Sequence, residues 1–178
     1  MIVVIGGPPG SGKTTVATGF AKAHGYVLVS AGEAFRKLAR DRGMDLEAFS
    51  REAERDHEID RSLDRAILEE ILRRGANADV VVDGRIQAPL LVQRRIPCVT
   101  VWIDAPLRVR AQRIAGRERQ PVEVVEREIR QRERSERTRY RALYGIDLND
   151  KGAYELVIDS SDKTPDEIIA LVAARVGR

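Results

Sequence analysis

The sequence predicts an α/β fold, a three-layer sandwich in which helices cover both faces of a five-stranded parallel sheet. Three observations lead to this prediction. The length of 178 residues fits a single domain, residues 1–178. Five short runs are rich in β-branched residues, as buried parallel strands are. Longer amphipathic segments separate these runs, and alternation of strands and helices is typical of a parallel sheet.

The elements follow in order from local signals. Each strand is a continuous apolar run, and we expect strands at residues 1–5, 26–29, 80–82, 99–103 and 154–158. Helices are indicated by apolar residues four apart, such as Ile59, Leu63 and Ile67, and by a capping residue before proline, such as Thr164 before Pro165. These signals predict helices at about residues 12–24, 32–42, 45–55, 58–74, 106–116, 121–143 and 165–176.

The composition excludes several classes of protein. No apolar run approaches the roughly 18 residues that span a membrane, and residues 1–5 lack the preceding basic segment of a signal peptide. Cys98 is the only cysteine, which excludes an internal disulfide and a cysteine-based zinc site, and His24 and His57 alone make a poor metal site. We expect a cytoplasmic monomer that does not bind a membrane.

The charge is small in sum but unevenly distributed. The net charge of +3 is too low to predict a general attraction to nucleic acid. The stretch from Ala105 to Arg141, however, contains twelve arginines and six glutamates, so it carries a charge of +6 and the rest of the chain −3. We therefore expect an anionic ligand to bind near this stretch. With only 4% aromatic residues for base stacking, we expect no nucleic-acid partner.

A complete phosphate-binding loop follows the first strand. Residues Gly7 to Thr14 match the pattern G-x-x-x-x-G-K-[ST] between a strand and a helix. The glycines let backbone N–H groups point at a phosphate, and the helix N-terminus adds its positive dipole end. Lys13 is suited to the β and γ phosphates and the Thr14 hydroxyl to Mg²⁺. We expect a bound nucleoside triphosphate with magnesium, held by Gly7, Pro8, Pro9, Gly10, Ser11, Gly12, Lys13, Thr14 and Thr15.

Two further clusters stand at strand ends, where a second substrate would meet the loop. Ser30 follows the second strand and can cap the next helix, while Arg36 lies one turn into that helix and can reach an anion. Asp83 and Arg85 follow the third strand. Asp83 offers a carboxylate to Mg²⁺ or its water, and Arg85 offers a guanidinium to a phosphate.

The arginine-rich stretch, residues 113–141, is predicted to form a mobile lid. Arg113 and Arg117 are four apart at the end of one helix, and residues 116–120 offer a glycine and a following proline as a hinge. Arg132, Glu136 and Arg139 share one face of the next helix by their spacing. Such a flap would supply cations to a phosphoryl group in transit and exclude water, which competes with the acceptor.

These residues together resemble the short archaeal-type cytidylate kinases, a branch of the nucleoside monophosphate kinases with a P-loop fold. The resemblance runs nearly end to end and rests on the phosphate loop, Ser30-Ala-Gly-Glu-x-Phe-Arg36, Asp83-Gly-Arg85, Arg139-Tyr-x-x-x-Tyr-Gly-Ile-Asp147 and Leu156-Val-Ile-Asp-Ser160. Kinases of this branch move the γ phosphate of ATP onto CMP, and often onto dCMP or UMP, with Mg²⁺. The resemblance therefore implies ATP, Mg²⁺ and CMP as ligands.

The resemblance also implies roles for individual residues. Residues 30–75 would form the monophosphate-binding helical region, with residues 47–64 as a cover over the acceptor. The catalytic residues would be Lys13 with the lid residues Arg113 and Arg117, and Mg²⁺ would be held by Thr14 and, through water, by Asp83. The acceptor would be bound by Ser30, Arg36, Asp83, Arg85, Arg132, Glu136 and Arg139.

Other functions stay open on the sequence alone. The nearest is another small-molecule kinase of the same fold, of adenylate or shikimate type. A non-catalytic nucleotide switch is more distant, because the chain lacks the Asn/Thr-Lys-x-Asp run by which a GTPase reads its base. An RNA-associated role would require a continuous basic groove with aromatic residues.

Overall fold

The computed structural model describes residues 1–177 and contains a five-stranded sheet. The strands are β1 (Ile2–Gly6), β2 (Val27–Ser30), β3 (Val80–Asp83), β4 (Val99–Asp104) and β5 (Leu156–Asp159). All four strand pairs are parallel, in the order β2-β3-β1-β4-β5. The predicted α/β fold with a parallel five-stranded sheet is confirmed, and its strands lie within two residues of the predicted positions.

Helices occupy the connections between the strands. They are α1 (Lys13–His24), α2 (Ala31–Asp41), α3 (Leu46–Arg55), α4 (His57–Gly75), α5 (Gln87–Gln93), α6 (Leu107–Glu118), α7 (Val122–Tyr144) and α8 (Pro165–Val176). Within residues 1–177, no helix combines the length and the apolar composition that a membrane crossing requires.

Alternate residues of the central strand face opposite layers, which produces the three-layer sandwich. Val3 and Ile5 pack with α1 and α8 in one apolar cluster, whereas Val4 packs with α4 and α5 in another. Strands buried on both faces are continuous apolar runs, so the sequence shows no polar alternation in them.

Two of the smaller apolar clusters, neither of which contains a residue of the sheet strands, hold together the helices beside the site. Phe49 and Ala53 of α3 pack with Ala39 of α2 and Ile59 of α4, and this cluster holds the three helices together as one unit. A second cluster joins α6 to α7, through Ala111, Ala115, Val125 and Ile129. The predicted cover and the predicted lid therefore each have a small core of their own.

Two local features differ from the sequence-based expectation. Helix α5 was not predicted, because its seven residues are too few to show a helical period and Pro89 lies in its first turn, where proline is tolerated. Helix α6 continues two residues past Gly116 to Glu118. The predicted hinge is therefore narrower than residues 116–120 and begins at Arg119, whose φ of 56° is in the left-handed region.

The packing of Phe20 predicts a large loss of stability in Phe20→Ala. The side chain is fully buried between α1 and α8, with its ring 5.0 Å from that of Tyr26. Truncation leaves a cavity and should lower the free energy of unfolding by about 3–5 kcal/mol. Denaturant titration measures this change. Leu171→Ala on α8, which is 43% exposed, is the control and should change the free energy by about 0.5 kcal/mol or less. Similar losses in the two variants would contradict the assigned core.

Candidate active site

The loop between β1 and α1 has the geometry of a phosphate cradle. Gly10 and Gly12 have φ angles of 82° and 95°, in the left-handed region where side chains are strained. A Cβ atom on Gly10 would lie 2.7 Å from the carbonyl oxygen of Arg110, so this position has no room for one. No side chain caps the N-terminus of α1. Its first N–H groups therefore remain available to an anion.

Two arginines of α6 support this loop from behind. The buried Arg110 donates to the carbonyl oxygen of Pro9 at 3.0 Å and to Glu133 of α7 at 2.8 Å. Arg113 donates to the carbonyl oxygen of Ser11 at 3.3 Å and to that of Ser160, after β5, at 2.6 Å. The loop is thus held against α6, α7 and the segment that follows β5.

Three polar side chains meet at the carboxyl ends of β1, β2 and β3. Strand register places Asp83 beside both Ile5 and Ser30. Asp83 Oδ2 accepts hydrogen bonds from Thr14 Oγ1 at 2.9 Å and from Ser30 Oγ at 3.0 Å. Asp83 Oδ1 is buried without a hydrogen-bond partner in the described chain. An unsatisfied carboxylate oxygen beside a threonine hydroxyl fits a hydrated Mg²⁺, which prefers oxygen ligands and keeps several waters.

A cavity of about 600 Å³, counting its open mouth, adjoins this triad. Most of this volume is open to solvent, and the enclosed part is about 60 Å³. Helices α2, α3, α4, α5 and α7 and the loop after β3 line it. Its polar lining side chains are Arg36, Ser50, Asp60, Asp64, Arg85, Gln87, Arg132, Glu136, Arg139 and Tyr140.

Glu136 fixes two arginines of this cavity. Its Oε2 accepts from Arg85 Nε at 2.6 Å and its Oε1 from Arg132 Nε at 2.8 Å. Burial raises the pKa of Glu136, but the two guanidiniums outweigh burial and bring it to about 2. Glu136 is therefore ionised at neutral pH. Because each arginine is held through Nε, its terminal N–H groups remain free to grip an anion.

Lys13 of the phosphate loop lies close to this group. Burial lowers the pKa of Lys13 to about 8; Asp83 and Glu136 oppose the shift, and Arg132 and Arg85 add to it. The phosphate loop and the arginines of the cavity therefore act on one another across a short distance. A single anion at this point would meet all three cations.

The other end of the cavity is acidic. Asp60 is buried and accepts from Arg139 Nε at 2.7 Å, while Arg139 Nη1 donates to Ser135 at 2.8 Å. Burial raises the pKa of Asp60, and Arg139 opposes this shift. One turn along α4, Asp64 accepts from Tyr144 Oη at 2.9 Å.

The structure brings most of the residues singled out in the sequence to one cleft. Arg36, Arg85, Arg132, Glu136 and Arg139 line the cavity. Asp83, which is bonded to both Thr14 and Ser30, lies two residues before the lining residue Arg85, and Ser30 directly precedes the lining residue Ala31. Two arginines lie elsewhere. Arg113 is bonded behind the phosphate loop, and the Arg117 side chain is 71% exposed and pairs with its neighbour Glu118.

Sequence reasoning missed five polar residues of the cavity, namely Asp60, Asp64, Ser50, Gln87 and Tyr140. A signal for the first two exists. They are four residues apart on α4 and directly follow Ile59 and Leu63 of its apolar stripe, so they lie at the border of a buried helix face. Gln87 belongs to the unpredicted helix α5 and had no such signal.

The fold and sequence both have known counterparts. A curated relative from Methanocaldococcus jannaschii named cytidylate kinase is 41% identical over 177 residues, 99% of this chain and 97% of the relative. Another of that name, from Methanocella arvoryzae, is 46% identical over 162 residues, 90% of this chain and 88% of the relative. The crystal structure of an uncharacterized protein from Eubacterium ventriosum has a TM-score of 0.70 at 16% identity, covering 99% of this chain and 98% of that one, which shows the fold alone.

The profile of the Cytidylate kinase-like family matches residues 2–162, which include the phosphate loop, the triad around Asp83 and every polar residue of the cavity. The sequence alone left more than one family open. This match, together with relatives at 41% and 46% identity over most of the chain, shows which family it is. The chain belongs to the cytidylate kinase-like family.

Proposed function

We propose that the chain transfers the γ-phosphate of ATP to CMP, giving ADP and CDP, with dCMP and UMP as poorer acceptors. The observation that carries this proposal is the position of the cavity. Its arginine-lined end adjoins the phosphate loop, so that the two phosphates of a donor and an acceptor would meet at Lys13. The curated relatives named cytidylate kinase support CMP over shikimate or AMP as the acceptor.

The transfer needs no nucleophilic side chain. The acceptor phosphate oxygen is anionic at neutral pH, so catalysis consists of alignment and of stabilising the charge on the transferring group. Lys13 and the free ends of Arg85 and Arg132 would supply that charge. Arg36, whose side chain is 41% exposed and pairs with Glu33, would turn to the acceptor phosphate.

We further propose that Mg²⁺ accompanies ATP and is held by Thr14 directly and by Asp83 through water. When bound, it would neutralise charge on the β and γ phosphates. Among residues 1–177 no cluster of three or more His, Cys, Asp or Glu side chains could hold a metal alone. This agrees with a metal that arrives with the nucleotide and takes phosphate and water oxygens as its other ligands.

We also propose that residues 113–141 form a lid and that its two arginines, Arg113 and Arg117, have different roles. Arg113 is bonded to two backbone carbonyl oxygens beside the phosphate loop, which favours a role in holding the loop. Arg117 is exposed beside the hinge at Arg119, which favours a role when the lid closes over the site. We therefore expect Arg117 to approach the transferring phosphate and Arg113 to stay in place.

An acceptor panel tests the proposed function. ADP release is measured with CMP, dCMP, UMP, AMP, GMP and shikimate as acceptors. CMP should be the best, with kcat/KM at least about ten times that of AMP or GMP, a gap that needs about 1.4 kcal/mol of differential binding in the transition state. A purine monophosphate or shikimate as the best acceptor would overturn the proposal.

The lowered pKa of Lys13 predicts a loss of activity at alkaline pH. The free enzyme should lose kcat/KM for ATP as pH rises through about 8, because Lys13 loses its proton there. Lys13→Ala should abolish turnover with little change in Tm, and Lys13→Arg, which keeps its proton, should remove the alkaline limb from whatever activity remains. Lys22→Ala, an exposed lysine of the same helix, is the control. An unchanged limb in Lys13→Arg would show that another group titrates.

Substitution of Arg36 or Arg85 should weaken the acceptor and spare the donor. Either alanine variant loses a charge-assisted contact and should raise KM for CMP about tenfold to a hundredfold, and kcat should fall because alignment is lost. Arg85→Ala should also lower Tm, since it leaves the buried Glu136 with one partner, whereas Arg36→Ala should not.

Separate titrations with CMP and with a non-hydrolysable ATP analogue check this division of the site. Arg40→Ala is the matched control, because Arg40 shares the partner Glu33 with Arg36 but does not line the cavity. Collapse of ATP-analogue affinity with intact CMP affinity would place the two arginines on the donor side.

A further inference from the structure

The cavity has two chemically different ends. Asp83 is bonded to Thr14 of the phosphate loop, and Arg85, two residues further on, shares Glu136 with Arg132, so this pair of arginines lies at the end nearest the loop. The charges that act most on Asp64 are Asp60, Arg139 and Arg94. An acceptor whose phosphate lies at the first end must therefore extend its base toward the second.

Asp64 is held in a fixed orientation at this second end. Tyr144, the last residue of α7, donates its hydroxyl to Asp64 Oδ2 at 2.9 Å. Gln87 of α5 donates to Asp64 Oδ1 at 3.5 Å. Side chains of two helices thus hold the Asp64 carboxylate in place where it lines the cavity wall. Tyr144 is not among the residues that line the cavity, so it acts on the site only through Asp64.

A donor is positioned beside this acceptor. Arg139 uses Nε for Asp60 and Nη1 for Ser135, which leaves Nη2 available. Along its hydrogen-bonding edge, cytosine presents an amino group at position 4 and acceptors at N3 and O2. Uracil presents a carbonyl at position 4 and a donor at N3. An ionised carboxylate next to a guanidinium complements the pattern of cytosine and opposes that of uracil.

Building on the proposed function, we infer that Asp64 is the residue that distinguishes CMP from UMP by accepting a hydrogen bond from the 4-amino group, and that Tyr144 is the positioning residue that keeps this carboxylate aimed and ionised. The two side chains join the cover helix α4 to the end of the arginine-rich helix α7. The base is therefore read where these two segments meet.

The same contact makes the discrimination depend on pH. Burial raises the pKa of Asp64 to about 7; Asp60 on its own helix adds to the shift, while Tyr144, Arg139 and Arg94 oppose it. Once protonated, the Asp64 carboxyl has an O–H that can donate to the uracil carbonyl. Preference for CMP is thus present above the pKa and declines as pH falls through it.

The test is the ratio of the UMP and CMP dissociation constants, measured by calorimetry between about pH 5.5 and about pH 8.5. The phosphate titrates in the same way in both nucleotides, near pH 6, and cancels in the ratio. For the unsubstituted protein, the ratio should be at least about tenfold at the alkaline end and fall toward one at the acid end. A ratio that does not change with pH would overturn the inference.

Two variants separate recognition from folding. Asp64→Asn should bring the ratio close to one at every pH, because an amide can both donate and accept. Tyr144→Phe should retain the ratio at the alkaline end but shift its midpoint to higher pH, since the lost hydroxyl stabilised the ionised form. Asp41→Asn, exposed at the end of α2, and Tyr26→Phe, whose hydroxyl contacts Met1, are matched controls and should behave as the unsubstituted protein.

The outcomes distinguish this inference from the proposed function. If the protein phosphorylates CMP but Asp64→Asn keeps the original ratio, the inference is wrong and the function stands. If Asp64→Asn does not fold, the midpoint of Tyr144→Phe decides, and a midpoint that is unchanged or lower overturns the inference. If neither CMP nor UMP is an acceptor, both proposals fail.

Discussion

The site depends on one buried carboxylate. Glu136 is almost fully buried, and without it the cations of Arg85, Arg132 and Lys13 would repel one another. An uncompensated buried charge costs several kcal/mol, so one anion shared between two guanidiniums is what allows them to stand so close together. Glu136 also fixes the direction of both guanidiniums, because it binds each of them through Nε. The arginines are thus held in one direction before any ligand arrives.

The parallel sheet supplies the second constraint. Its register brings Ser30 and Asp83 side by side at the carboxyl ends of β2 and β3, with β1 and the phosphate loop next to them. Thr14 then reaches Asp83 from the first turn of α1. Residues far apart in sequence meet here because neighbouring parallel strands end at one edge. The local sequence determines where each strand forms, and the order of the strands brings Thr14, Ser30 and Asp83 together.

The sequence was informative where the signal is local. The phosphate loop, the strands and most helices have periodic or capping patterns, and these elements lie close to their predicted positions. The distant partners of Arg85 and Arg139 had no such signal. Arg85 meets Glu136 from 51 residues away, and Arg139 meets Asp60 from 79 residues away. Such pairs depend on how helices pack, which one sequence does not encode in its spacing. A short helix such as α5 was missed for a different reason, because fewer than two turns show no period.

The separate apolar cluster formed by Phe49, Ala53, Ala39 and Ile59 has a consequence for movement. Helices α2, α3 and α4 share this cluster, which holds no residue of the sheet strands. Movement of these helices toward the phosphate loop would leave the interior packing of this cluster unchanged, but Ile67 and Ile71 of α4 also pack in the sheet layer and anchor that end of the unit. In amide hydrogen exchange, the interior of this unit would stay protected as a block while the chain at its two ends exchanged faster. Opening would then be a rotation about the half of α4 that is anchored in the sheet layer, and it would not require the cluster itself to unfold.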